Sequence, residues 1–425
     1  MIIKRDRYLN QLIKKQHNGM IKIVTGLRRS GKSYLLFTLF YNYLLETGVE
    51  RDHIITLSLE EEVNSAYRDI DKLREYILSF VKDDGYYYIL LDEVQFTISQ
   101  DEIKGKSYIR LYGLLNELIK NEKFDVYITG SNSRFLSSDI QTEFRGRGDE
   151  IRVYPLSFYE YFSVSNKDKY EAFNEYMMFG GLPYIATKTD YNEKAEYLKK
   201  QIKSTYLLDI LERYNLKDDQ VLDGLLNILS SSVGSLTNPN KLVNSFNSKG
   251  IKTNAVTVKN YLNYFEDSFL IKSAFRYNIK GNSYISTPLK YYFSDIGLRN
   301  AQINFRQQDI GHVIENIIFN ELISRGYDVD VGVVPVQVSE NGKRTLKNYE
   351  VDFICNAFNH KFYIQSASSI NDQDKMKQET QSFRNIDDSF EKIIITKENT
   401  LPFVDDYGYK IINIIDFLLN EDSTK

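Results

Sequence analysis

The run Gly26-Leu-Arg-Arg-Ser-Gly31-Lys32-Ser33 matches G-x-x-x-x-G-K-[ST] at every fixed position. Glycines at its two ends let the backbone turn tightly enough for successive N–H groups to face the oxygens of a phosphate chain. A helix starting near Lys32 adds its positive dipole end at the same point. Lys32 then brings an ammonium to the β- and γ-phosphates, and the Ser33 hydroxyl is placed to ligate Mg²⁺. Arg28, Arg29, Ser30 and Tyr34 lie within or beside the run and complete the expected contacts to ATP. Downstream, Asp92-Glu93 closes the apolar stretch Tyr86–Leu91. A carboxylate at such a strand end can hold Mg²⁺, here Asp92, while the next one, Glu93, polarises the attacking water as general base. Thr129-Gly130-Ser131-Asn132 ends a further apolar stretch. Asn132, with Ser131 in reserve, is the polar residue expected between the acidic pair and the γ-phosphate. Arg145 and Arg147, on the glycine-flexed loop Phe144-Arg-Gly-Arg-Gly148, can deliver a guanidinium to the γ-phosphate of a neighbouring subunit, which requires an oligomer.

These residues need a scaffold that holds strand ends side by side. Lys22–Thr25 is a short apolar run stopping at Gly26, and Leu35, Leu36, Leu39 and Tyr43 give Lys32–Leu45 one apolar helical face. Further strands are expected at His53–Leu59, Tyr86–Leu91, Asp125–Thr129 and Glu150–Tyr154, with helices at Leu73–Val81 and Ser107–Lys120 between them. Strands alternating with helices of this length predict an α/β fold, a parallel sheet covered by helices on both faces. Beyond Pro155 the pattern is helical to about Ser232, interrupted by Gly180-Gly-Leu-Pro183 as a turn or hinge. Thr237–Arg299 reads as helix, turn, helix, then short strands; Ile310–Lys425 reads as helix, strands, helix, strand, helix.

A chain of 425 residues exceeds one hydrophobic core, so several domains are expected. A net charge of −4 excludes a surface basic throughout, as a nucleic-acid coat would need, while leaving room for one basic module. The single cysteine, Cys355, sits in the apolar run Val351–Cys355 and fits a reducing compartment. His17, His53, His312 and His360 are scattered and form no zinc pattern. No run of about 18 apolar residues exists, so neither a membrane span nor a signal peptide is expected and the cytosol is the expected location.

TGLRRSGKS, DEVQ, TGSNS, FRGRGDEIRVYPLSFYEY and FGGLPY together resemble AAA-superfamily P-loop ATPases common in archaea and bacteria. In that family an ATPase core is followed by a winged-helix region and a restriction-endonuclease-like domain. The resemblance covers nearly the whole chain. It implies ATP hydrolysis, a link to DNA, and an organisation of ATPase core at 1–157, helical lid at 158–236, winged helix at 237–300 and degenerate endonuclease-like domain at 301–425.

Thr237–Arg299 holds nine Lys or Arg against three Asp or Glu, a balance of +6 inside a chain of −4, the footprint of a duplex-binding module. Lys252, Thr257 and Lys259 near its second helix, with Arg276 and Lys280 on the wing, are the candidate DNA contacts. In the last region Glu315 and Asp352 match two elements of an endonuclease signature. The third should be Glu-x-Lys, and Gln365-Ser-Ala367 stands there instead. A Mg²⁺ site loses a hard ligand by this change, so a fold retained without cleavage is expected. The leading expectation is an ATP-driven motor or switch acting on DNA. An alternative is an ATP-gated protein-interaction module with slow hydrolysis.

Overall fold

A computed structural model of the chain describes residues 2–103, 107–131, 147–216, 220–306, 309–340, 343–358, 360–367 and 373–424. Two compact units emerge: residues 1–155 with 267–269, and residues 156–266 with 270–425.

The first unit is built on β1 (Ile21–Thr25), β2 (Ile54–Ser58), β3 (Tyr87–Asp92), β4 (Phe124–Gly130) and β5 (Gly148–Arg152). Their order across the sheet is β2-β3-β4-β1-β5, and every pairing is parallel. Parallel strands covered on both faces can be apolar throughout, and β3 is buried at every position. Successive side chains leave by opposite faces. Thus Ile23, Ile89, Leu91 and Ile128 pack with Leu73 and Ile77 of helix Ile70–Ser79 and with Leu111 and Leu115 of helix Arg110–Leu118. Val24, Tyr88, Leu90 and Tyr127 pack on the other side with Leu35, Leu36, Phe40 and Leu44 from the helical stretch after the phosphate-type loop, and with Tyr8 and Leu12 of helix Asp6–Lys14. The expected α/β sheet with helices on both faces is therefore present.

In the second unit helices lead from Phe158 to Ser248, and helix Ala255–Asp267 precedes the strands. These are β6 (Ile271–Asn278), β7 (Ser283–Phe293), β8 (Asp328–Glu340), β9 (Lys343–Ala357), β10 (His360–Ala367), β11 (Glu391–Thr396), β12 (Phe403–Val404) and β13 (Lys410–Asn413). They form one eight-stranded sheet in the order β12-β13-β11-β10-β9-β8-β6-β7. The hairpin β6–β7, read from the sequence as a wing, joins the C-terminal strands through a parallel pairing of β6 with β8. Regions 237–300 and 301–425 thus share a sheet, because β6 has a second edge whose backbone groups need partners and β8 supplies them. Helix Ile310–Ser324 buries Ile314, Ile317, Ile318 and Leu322 together with Val313 and Phe319. No described helix is long and apolar enough to cross a membrane.

Candidate active site

The loop after β1 is held in a conformation that its glycines make possible. Gly26 has φ of 138°, and a Cβ there would stand 2.1 Å from the Val153 carbonyl oxygen, so the chain can pass only if residue 26 lacks a side chain. Gly31 has φ of 95° and leads directly into the helical turn Lys32–Tyr34, with Leu35 N donating to Gly31 O at 2.9 Å. That turn runs on through a π-helical stretch, Leu35–Phe40, into Tyr41–Glu46. Arg29, between the glycines, also takes a left-handed φ of 66°. A clamp comes from outside the motif: Arg5 is buried, and its guanidinium donates to Ser30 O at 2.9 Å and to Tyr154 O at 2.6 Å.

Strand order explains how the acidic pair meets this loop. β4 lies between β1 and β3, with Val24 opposite Thr129 and Leu91 opposite Ile128. The end of β4 therefore stands between the loop and the acids that close β3. Ser33 Oγ donates to Asp92 Oδ1 at 3.0 Å. Thr129 Oγ1 donates to the same Asp92 oxygen and accepts from Glu93 N at 3.0 Å. Lys32 Nζ lies 3.7 Å from Glu93 Oε1 and donates to Gly26 O at 3.2 Å and Leu27 O at 3.3 Å. Glu93 Oε2 accepts from Ser131 Oγ at 3.2 Å and from Gln95 Nε2.

Burial sets the electrostatics of this cluster. Burial lowers the Lys32 ammonium from its ordinary value, against the pull of Glu93 and Asp92. Burial likewise raises Asp92, with the hydroxyls of Thr129 and Ser33 opposing it and the Glu93 charge adding to it. A polyphosphate would add further negative charge beside Lys32 and favour its ammonium. A divalent cation would supply the charge that favours ionised Asp92. Ser33 and Asp92 are hard oxygen donors of the kind Mg²⁺ prefers. Ser30 Oγ in the loop and Tyr34 OH just after it are buried and meet no hydrogen-bond partner among the described residues. The loop, Lys32, Ser33, Asp92, Glu93 and Ser131 are thus gathered in one place. Arg28 instead reaches outward to Glu60 at 2.7 Å.

Asn132 and Arg145 lie outside the described residues. Arg147 is exposed just ahead of β5, its carbonyl accepting from Ile21 N at 2.9 Å. Because Ile21 stands opposite Gly148 in a parallel pair, this is the far end of β1 from the loop, roughly 13 Å away at about 3.3 Å per residue. Arg147 does not join the site of its own chain. Sequence reading missed Thr129, Gln95 and Arg5. Thr129 is a β-branched residue at a strand end, which carries no signal of its own, and Gln95 is marked by its place in DEVQ, two residues after Glu93.

In the second unit, Lys252, Lys259 and Lys280 are exposed. Thr257 is engaged with Asn254 at the start of its helix, and Arg276 is half-buried on β6. Two of the nine basic residues counted above are internal. Arg299 is 1% exposed and donates to Ser230 O; Lys290 is 4% exposed. Lys290 Nζ lies 2.9 Å from Glu315 and 2.7 Å from Glu350. Glu315 also accepts from Tyr292 OH at 2.6 Å, and Asp352 Oδ2 accepts from Ser366 N at 2.8 Å. Gln365 Oε1 faces Asp352 N at 3.4 Å. Burial and the neighbouring Glu315 push Asp352 up to about 8. Lys290, on β7, thus brings a buried cation to Glu315 and Glu350. Among the described residues no group of three or more His, Cys, Asp or Glu is arranged to hold a metal ion.

Comparison with known proteins places these features among relatives. Residues 18–162 match the family described as AAA domain, and residues 170–309 match a domain of unknown function, DUF8612. An uncharacterized protein of Haemophilus influenzae is 32% identical, over 98% of this chain and 99% of that protein. An uncharacterized protein of Methanocaldococcus jannaschii is 29% identical over 89% of this chain and 81% of its own length. Among solved structures, the Walker-type ATPase of Pyrococcus abyssi aligns with a TM-score of 0.48 at 15% identity, covering 71% of this chain and 96% of that one.

Proposed function

The chain belongs to the same family as the Haemophilus influenzae protein and carries an AAA-type ATPase domain, and from that premise we propose that it binds Mg²⁺-ATP and hydrolyses it to drive a conformational switch acting on DNA. One observation carries the reading. Lys32, Ser33, Asp92, Glu93 and Thr129 meet in one hydrogen-bonded cluster at the C-terminal ends of β1, β3 and β4. Lys32 would neutralise the β- and γ-phosphate oxygens, and the loop N–H groups would cradle them. Mg²⁺ held by Ser33 and Asp92 would offset the charge that develops on the transferred group. Glu93 would accept a proton from the attacking water. Asn132 is assigned to sensing the γ-phosphate, and Arg145 or Arg147 to completing the site of a neighbouring copy. The reading thus includes a homo-oligomer, working in the cytosol.

The DNA half of the reading is supported by the exposed lysines Lys252, Lys259 and Lys280, with Thr257 and Arg276 as further contacts. The domain organisation that goes with it is ATPase core, helical lid, winged helix and inactive endonuclease-like domain.

Steady-state phosphate release tests it. The wild-type chain should turn over ATP only with Mg²⁺, and Lys32→Ala and Glu93→Gln should each lower the rate by at least about a hundredfold. Undiminished turnover in both variants would sink the site assignment. A rate unmoved by duplex, single-stranded or branched DNA would remove DNA as the partner.

A further inference from the structure

We propose that Gln95 is a positioning residue for hydrolysis, its side-chain amide fixing one oxygen of the Glu93 carboxylate so that the other is aimed at the nucleotide. The proposal rests on the reading of Glu93 as general base and goes one residue beyond it.

The backbone makes the contact possible. Glu93 has φ of 53°, a left-handed conformation that costs a side-chain-bearing residue energy and is kept only where the surroundings enforce it. Here Thr129 holds the Glu93 N–H. That turn sends Val94–Thr97 into a short 3₁₀ helix and brings Gln95 back alongside Glu93. Gln95 Nε2 donates to Glu93 Oε2 and lies 3.4 Å from Ser131 Oγ, which itself donates to Oε2 at 3.2 Å. A reversed amide would set a carbonyl against the carboxylate, so the donor end must face Glu93.

The two carboxylate oxygens therefore have separate surroundings. Oε2 is held by donors from two different elements, the turn after β3 and the end of β4. Oε1 has Lys32 Nζ at 3.7 Å. When phosphate oxygens draw Lys32 away, Oε1 alone is released, and the carboxylate keeps its orientation through Oε2. In the reaction the water oxygen bonds to the γ-phosphorus and a water proton passes to Oε1. The bond from the γ-phosphorus to the bridging oxygen breaks, leaving its electron pair on ADP. A carboxylate without the Gln95 contact would sample other rotamers in the ground state and spend less time in register with that water.

The test uses the full chain and two variants. Gln95→Ala removes the side chain, and Gln95→Glu keeps its shape while abolishing the donor. We expect kcat to fall about tenfold in Gln95→Ala and further in Gln95→Glu, where like charges meet. The dissociation constant for a fluorescent ATP analogue should stay within about twofold of wild type, because the Gln95 amide bonds Glu93 and Ser131, not the Gly26–Ser33 loop. A side chain that only shaped the turn would leave Gln95→Glu at the wild-type kcat, and that result overturns the proposal. So does a loss confined to nucleotide affinity. If Glu93→Gln is inactive while both Gln95 variants match wild type, this inference fails and the base assignment stands. If Glu93→Gln turns over like wild type, both fall together.

Discussion

Thr129 shows how much one hydroxyl can organise. It donates to Asp92 and accepts from the Glu93 backbone, so both halves of the acidic pair depend on it. Thr129→Val is nearly isosteric and leaves Glu93 N–H and Asp92 each short of a partner in a buried place, a loss of about 1–3 kcal/mol per group. ATP turnover should fall between tenfold and a hundredfold, and Thr129→Ser should recover most of it. Equal rates for Val and Thr at this position would show that the hydroxyl is not used. Ser131 and Asn132 are legible in the sequence because turn residues advertise themselves, whereas Thr129 acts across strands. Its partners are 36 and 37 positions away, and only the register of β4 between β1 and β3 brings them within reach.

Between elements, the turn Gly180-Gly181-Leu182-Pro183, readable as a turn or hinge, is pinned. Asp295, at the start of helix Ile296–Gln302, accepts from Gly181 N at 2.8 Å and from Leu298 N at 3.0 Å, and a Cβ on Gly180 would stand 2.3 Å from its carboxylate. Burial raises Asp295 from 3.8 to about 6 in spite of its backbone donors. Between those values the folded chain retains a proton that the unfolded chain has released, so stability falls as pH rises through the window, by roughly 3 kcal/mol in all. Thermal unfolding across acid pH should show that decline in the wild type. Asp295→Asn should make the decline shallower by about that amount, and parallel curves for the two proteins would refute it. The Lys290 cluster makes a second element-scale case, tying β7 to β9 and to helix Ile310–Ser324. Lys290→Met strands Glu315 and Glu350 without their ammonium and should destabilise the second unit by about 3–5 kcal/mol in chemical denaturation. A change under about 1 kcal/mol would mean that the carboxylates simply take up protons.

At the scale of the whole molecule, the placement of Arg147 bears on whether a second copy takes part. Arg147 stands at the far end of β5 from the phosphate-type loop, so any role at a γ-phosphate must come from another copy. Mixing two inactive proteins decides it. Lys32→Ala and Arg147→Ala chains together should regain part of the ATPase rate, because some interfaces then pair an intact loop with an intact arginine. No recovery at any mixing ratio would exclude Arg147 as the trans group. The count of +6 over Thr237–Arg299 also changes meaning at this scale. Lys290 and Arg299 are internal, so the charge available to a duplex is smaller than the sequence total suggests.

The sequence by itself determined the phosphate-type loop, the acidic pair and the α/β character of the first unit. Those features are local: a glycine spacing needs only its own backbone, and a strand buried on both faces is apolar along its whole length. Tertiary structure alone decided which strands lie side by side, and with that the hydroxyl of Thr129, the amide of Gln95 and the clamp of Arg5. It also decided that the β6–β7 hairpin belongs to the C-terminal sheet, and that Lys290 pairs with Glu315 and Glu350. Each of these depends on pairings between residues far apart in the chain, whose partners' identities leave no periodic trace in the sequence. The Gly26–Ser33 loop is legible from its own spacing; the order β2-β3-β4-β1-β5 brings Asp92, Glu93 and Thr129 beside it.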